Sequence, residues 1–208
     1  MKKYGKTIVI TTIITLFPMV IGFLLWNRLP DELATHFGMN GEPNDWMQKP
    51  FAVIGLPVFL AVIQLIMAAA TLNDPKRSNI HPKLMYLILW IIPVMSLISN
   101  ISIYLFSMGI DIDNSIIACF LVGVVFILLG NYMPKLQQNY TVGIKLPWTL
   151  NNQENWTRTH RLAGKLWIAG GVVMIIGGFL SFWVIMAVLL VCVAVPVGYS
   201  FWLYRKGY

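Results

Sequence analysis

Residues 166–204, LWIAGGVVMIIGGFLSFWVIMAVLLVCVAVPVGYSFWLY, run for 39 positions without one charged side chain. The hydrocarbon core of a bilayer is about 30 Å thick, and a helix crosses it in about 20 residues. One crossing uses half of this run. Gly177, Gly178 and Ser181 near its middle predict a tight reversal between two helices. Arg161 and Lys165 precede the run, and their long stems can lie along apolar surface while the charges stay among headgroups.

Working outward, four more stretches carry no charge: 7–27, 50–73, 84–110 and 114–134. Each is long enough for one helix, so the expected total is six. The whole chain agrees, with 58% hydrophobic and only 11% charged residues, against roughly a quarter charged in a soluble domain. The first stretch is 21 residues, longer than a typical signal-peptide core, and Trp26-Asn27-Arg28 after it reads as an interfacial anchor rather than a cleavage site. The expected fold is an all-α integral membrane protein, a single membrane domain over residues 1–208.

Charge orients it. Thirteen of the 15 lysines and arginines fall at the two termini and in the loops 73–83 and 135–165, leaving only Arg28 and Lys49 on the other side. Cytoplasmic loops retain cations during insertion, so both termini and these two loops are expected in the cytoplasm and the loop 28–49 outside the cell. The two faces carry +11 and −4. That segregation accounts for the isoelectric point near 9.5 through anionic headgroups, with no nucleic acid as partner. The partner it implies is the lipid bilayer.

Inside the spans no ionisable residue is expected, which weighs against a proton-coupled pump. Gln64, Ser96, Ser99, Asn100 and Ser102 remain; Ser96, Ser99 and Asn100 share one helical face, and hydrogen bonding between helices is preferred to a polar ligand groove. Pro18, Pro57, Pro93 and Pro196 each predict a kink. Cys119 and Cys192 sit in apolar runs and offer neither a disulfide framework nor metal-ligand spacing.

Two loops carry information. The outer one, 28–49, has turn residues at Gly38, Gly41 and Pro43, and Thr35-His36-Phe37 suits a short extended piece. His36 and Asp45 suggest a pair, although one histidine makes a poor metal site, so neither metal nor cofactor is expected. In the inner loop, Asn151 and Glu154 resemble a helix-start box. Beyond them Trp156, His160, Ala163 and Trp167 recur at helical spacing, beside a basic stripe of Arg158, Arg161 and Lys165. This predicts a helix lying at the interface, aromatics in the headgroup layer and cations towards phosphates.

The inner stretch Gly130-Asn131…Asn139…Gly143-Ile-Lys145-Leu-Pro147-Trp148-Thr149-Leu150…Trp156…His160-Arg161…Gly164 resembles the signature of the SdpI immunity-protein family. The outer stretch Leu29-Pro30…His36-Phe37…Gly41-Glu-Pro43…Asp45-Trp46 resembles a bacterial family of unknown function. The two occur in the expected order, and with the flanking spans the resemblance covers most of the chain. One departure is Lys145-Leu146 where members usually have Arg-Thr; lysine keeps the charge and loses the bidentate fork.

What the resemblance implies is a non-enzymatic immunity protein of the bacterial cell membrane that protects against a secreted, membrane-active peptide toxin. A second implied role is signalling, by holding a cytoplasmic repressor at the membrane. Toxin contacts are then expected at His36, Gly41, Asp45 and Trp46. Partner-binding or structural roles are expected for Asn131, Asn139, Gly143, Lys145, Pro147, Trp148, Thr149, Trp156, His160 and Arg161. The competing readings are a small membrane enzyme using His160, Glu154 and Asn139, or His36 and Asp45, as acid–base groups, and a transporter built from two inverted halves.

Overall fold

The computed structural model describes residues 2–38, 41–178 and 182–208. Helix α1 (Lys2–Leu24) is followed by an antiparallel hairpin, β1 (Glu32–Phe37) and β2 (Pro43–Gln48). Then come α2 (Leu56–Leu72), α3 (Pro82–Ser107), α4 (Asn114–Tyr132), the short α5 (Pro147–Asn151), α6 (Gln153–Gly177) and α7 (Phe182–Arg205). Among the described residues, five segments are long and apolar enough to cross a membrane: Lys3–Leu24, Phe51–Leu72, Pro82–Ser107, Asn114–Lys135 and Trp183–Arg205.

The sixth helix expected from the sequence corresponds to α6, which is one unbroken helix and is not among these five. Its first half bears Glu154, Arg158, Arg161 and Lys165, so its composition differs from the other five. The reversal falls where the glycines predicted it: α6 ends at Gly177, the Gly178 N–H donates to the Met174 carbonyl at 2.9 Å, and α7 starts at Phe182. Ser181 lies outside the described residues. The helix-start residue is Asn152 rather than Asn151; its side chain accepts from the N–H groups of Glu154 and Asn155, both at 2.9 Å, while Asn151 closes α5.

The hairpin adds β structure to an otherwise helical chain. α1 ends at Leu24 and turns carry the chain to Pro30, the Leu29 N–H donating to the Leu25 carbonyl at 3.1 Å; Thr35-His36-Phe37 is extended as expected but pairs with a second strand. Leu33 anchors the hairpin, buried with Leu29 against Ala52, Val53, Ile103 and Tyr104.

The chain divides into two compact units, Met1–Ala69 with Tyr86–Ala118, and Ala70–Met85 with Cys119–Tyr208. Within the first, the polar residues of the spans bond to one another. Gln64 donates to the Thr11 hydroxyl at 2.7 Å and its carbonyl receives the Thr15 hydroxyl. Ser96 donates to the Thr15 carbonyl at 2.9 Å, and Asn100 to the Ser96 carbonyl at 2.8 Å. The Gln64 and Ser96 bonds are the interhelical bonding expected, since an amide in hydrocarbon is costly until a neighbour pairs it, whereas Asn100 donates within its own helix. Pro18, Pro93 and Pro196 lie inside α1, α3 and α7. Pro57 instead follows a π-helical turn, Phe51–Gly55, whose wider ring takes the Leu56 N–H to the Phe51 carbonyl; widening suits a proline that lacks its own N–H and crowds the preceding turn.

Within the second unit, α4 and α6 pack backbone to backbone. A Cβ added at Gly164 would stand 2.8 Å from the Gly130 carbonyl oxygen, and one at Gly171 would stand 2.5 Å from that of Gly123. Only glycine permits that approach. Cys119 and Cys192 are both buried in this unit and form no disulfide.

Candidate functional site

Ten of the residues singled out in the sequence fall between Asn131 and Arg161, and the fold gathers most of them into one hydrogen-bonded clasp. The Asn139 side-chain oxygen Oδ1 accepts from the N–H groups of Thr141 at 3.1 Å and Val142 at 2.6 Å, closing a tight turn. Gly143 follows with φ +116°, a conformation that disfavours any side chain. It lies against the imidazole of His160: a Cβ there would be 2.5 Å from Nε2. The turn thereby delivers the Ile144 N–H to His160 Nε2 at 2.9 Å.

His160 is 1% exposed, and its other nitrogen, Nδ1, lies 2.8 Å from the Trp156 carbonyl. One ring nitrogen must accept and the other must donate, which selects the neutral tautomer with its proton on Nδ1. Burial pushes the pKa down to about 4, despite the partly opposing bond to Trp156. Trp156 is fully buried, stacks on this imidazole with centroids 4.0 Å apart, and donates its indole N–H to the Leu136 carbonyl at 2.8 Å.

The expectation of an aromatic face immersed in headgroups therefore needs correcting. Trp156, His160 and Ala163 are buried inside the protein, while the basic stripe is partly or fully exposed: Arg158 in part, Arg161 and Lys165 fully. Helical spacing is the same for a packed face and a lipid-facing one, and here the packed face prevails.

Pro147 and Trp148 open α5, where proline at the first position costs no hydrogen bond. The Thr149 hydroxyl accepts from the Leu146 N–H at 2.9 Å and holds that helix start. Trp148 donates its indole N–H to the Ser200 hydroxyl at 3.0 Å and stacks on Tyr204 with centroids 5.6 Å apart. Asn155 donates to the Ser200 carbonyl at 2.9 Å, tying α6 to the same turn of α7. Lys145 is exposed and donates to the Thr141 carbonyl at 3.0 Å, while Asn131 and Arg161 are exposed.

Sequence reasoning missed the partner that closes the clasp. Asp74, between α2 and α3, is 4% exposed. Its carboxylate accepts from the Tyr140 N–H at 2.9 Å, the Thr141 hydroxyl at 2.8 Å and the Lys76 N–H at 2.7 Å. Burial alone would raise its pKa, but these donors outweigh burial and hold the carboxyl below its usual range. Nearby, Asn79 donates to the Gln138 carbonyl at 2.7 Å. A distance of 66 positions leaves no local spacing signal, and Ser200 was hidden for the same reason inside an apolar run.

The outer-loop candidates lie in the first unit and are arranged oppositely. His36 faces Asp45 in the strand register, yet its ring pairs with the Asn44 carbonyl, 2.5 Å away, and Asp45 receives the Trp46 N–H at 2.9 Å. The suggested His36–Asp45 pair is therefore not formed: register shifts around His36 offset the two side chains. Gly41 turns the hairpin with φ +80°. His36 and Asp45 are exposed, as is Trp46 at 52%. Beneath them Lys49 lies 3.2 Å from the Asp31 carboxylate and 5.5 Å from the Trp26 ring centroid. Among the described residues no three His, Cys, Asp or Glu side chains come together to hold a metal.

Comparison with known proteins divides the chain at similar places. Residues 135–200 match the SdpI/YfhL protein family, a range that runs from the end of α4 to Ser200 and so contains the inner clasp except Asp74. Residues 13–61 match a domain of unknown function, DUF1648, and include the hairpin. Over 188 residues, 90% of this chain and 89% of the relative, the sequence is 24% identical to the immunity protein SdpI of Bacillus subtilis (strain 168). No solved structure matches.

Proposed function

We propose that this chain is a multi-pass immunity protein of the bacterial cell membrane, protecting the cell that makes it from a secreted, membrane-active peptide toxin. The observation that carries the reading is the likeness to an immunity protein along nearly the whole chain. The cation asymmetry supports an arrangement with both termini and the clasp in the cytoplasm and the hairpin outside. On that arrangement His36, Gly41, Asp45 and Trp46 form the toxin-facing surface. An exposed indole supplies contact area, and Asp31, Glu32, Glu42 and Asp45 attract a cationic peptide over a screening length of about 8 Å.

The clasp then has a different task. Asn139, Gly143, Thr149, Trp156 and His160 hold the inner loop on the helices rather than meeting a partner. Should a cytoplasmic repressor be held at the membrane, the exposed Asn131, Lys145 and Arg161 are the side chains available to it. His160, which an enzyme would use as acid or base, has both ring nitrogens engaged within the fold.

The test is survival. A toxin-sensitive bacterium expressing the chain should withstand the peptide toxin, and D45N/W46A should lose that protection while reaching the membrane in equal amount. Equal killing with and without the wild-type chain, across related peptide toxins, refutes the reading. Topology is read separately: in intact cells an impermeant thiol reagent should label D45C and spare K145C.

A further inference from the structure

A cleft of about 390 Å³ opens in the second unit where the apolar length of α7 ends, lined by Pro147, Trp148, Asn151, Asn152, Tyr204, Gly207 and Tyr208. Its walls are aromatic. Trp148 stacks on Tyr204 at 5.6 Å and meets Phe201 edge-on at 5.5 Å, while its N–H is occupied by Ser200. The Trp148 ring is thus held against α7. Phe201, Trp202 and Tyr204 remain about half exposed. Tryptophan and tyrosine at the end of an apolar helix sit at headgroup depth, one edge in hydrocarbon and the other in water.

Around these walls the charge has one dominant sign. Arg205 and Lys206, both exposed, flank Tyr204 and Gly207 in the chain, and the Lys206 ammonium stands 4.0 Å from the Trp202 ring centroid. The Arg158 guanidinium lies 4.3 Å from the Tyr208 ring centroid and shares its charge with Glu154. The main-chain oxygen of Tyr208 accepts from Asn155 at 3.3 Å. Three cations against one carboxylate, beside an aromatic cleft at the boundary of the apolar layer, suit an anion that carries hydrocarbon.

We propose that this cleft is a binding site for one anionic phospholipid, its glycerol backbone lying between Trp148, Tyr204 and Tyr208 and its phosphodiester at the rim, drawn by the charges of Arg205 and Lys206 at the end of α7. Asn151, exposed at the rim, offers its amide to a headgroup hydroxyl. Such a lipid brings α5 and the last turn of α7 together from outside, as Ser200 does from within. The site stands independently of any immunity role.

The full chain, purified in a neutral detergent, is titrated with phosphatidylglycerol, phosphatidylcholine or inorganic phosphate, and binding is read from the rise in thermal stability. Phosphatidylglycerol should stabilise saturably, and the other two should not. R205Q/K206Q should weaken the apparent affinity roughly tenfold to thirtyfold, the scale of two cations near a charged surface. K3Q/K6Q removes the same charge elsewhere and should bind as wild type. Y204A, which keeps the charge and removes a wall, should also weaken binding. Lipid extracted from the purified wild-type chain should be enriched in the anionic class relative to the membrane, and that from R205Q/K206Q should not. Equal stabilisation by phosphatidylcholine, equal stabilisation by inorganic phosphate, or equal losses in the two double variants would each overturn the proposal.

Discussion

Acidification should unlatch the clasp through His160 before it reaches any carboxylate. An unfolded chain protonates histidine at about 6.5, whereas the folded imidazole resists until about pH 4, because its burial penalises the cation and its Nε2 is committed to accepting from Ile144. Between those values the unfolded state binds one proton more than the native state. Stability is therefore intact above about pH 6.5, falls as pH drops through the window, and levels off for this group below about pH 4. A gap of this width corresponds to roughly 3 kcal/mol, a large share of the 5–15 kcal/mol that holds most domains. The assay is denaturant or thermal unfolding of the full chain in neutral detergent from pH 7.5 to 4, wild type beside H160Q. Glutamine retains an acceptor for the Ile144 N–H and removes the titration. H160Q should start less stable than wild type but lose far less across the window. Parallel acid limbs for the two proteins, offset by a constant, would refute the assignment of a buried neutral histidine.

The carboxylate of Asp74 should act in a lower window. Its folded pKa is depressed, so its contribution is present above the usual carboxylate range and is lost as pH falls below it. D74A should destabilise by about 2–4 kcal/mol in the same unfolding assay, since two backbone N–H groups and the Thr141 hydroxyl lose their acceptor. G143A should cost about 2 kcal/mol or more, because it places a side chain at φ +116° and against His160 Nε2; recovery in G143A/H160A would separate the clash from the backbone strain. Q64L should cost roughly 1 kcal/mol by removing the bonds that join α2 to α1, while the Thr11 and Thr15 hydroxyls keep the Thr7 and Thr11 carbonyls as acceptors, with no change in membrane insertion, measured as detergent unfolding and as membrane-fraction yield.

Particular elements show where reading along the chain sufficed. The helices near residues 7–27, 50–73, 84–110 and 114–134, and the reversal after Gly177, followed from unbroken apolar runs and from glycines; of the five apolar helices among the described residues, four occupy those stretches and the fifth follows the reversal. Hydrogen bonding by Gln64 and Ser96 to α1 followed as well, because polar groups in an apolar layer pair with neighbouring helices, while Asn100 turned out to donate within its own helix. Elsewhere the same signals were ambiguous. The stripe Trp156, His160, Ala163 has a period that serves protein packing and lipid contact alike. The extended piece at Thr35 to Phe37 required a partner strand, Pro43 to Gln48, whose composition of Pro, Asn and Asp is poor in strand formers.

Hydropathy and charge are sums over neighbouring residues, so the chain by itself determined that it is built of apolar helices, where most of them begin and end, and which loops are basic. Hydrogen bonds across 66 positions, from Asp74 to Tyr140, or 52, from Trp148 to Ser200, depend on how helices pack, and no local sum contains them. Tertiary structure alone decided that the inner motif folds inward as a clasp around a neutral imidazole while the hairpin leaves His36, Asp45 and Trp46 exposed to solvent.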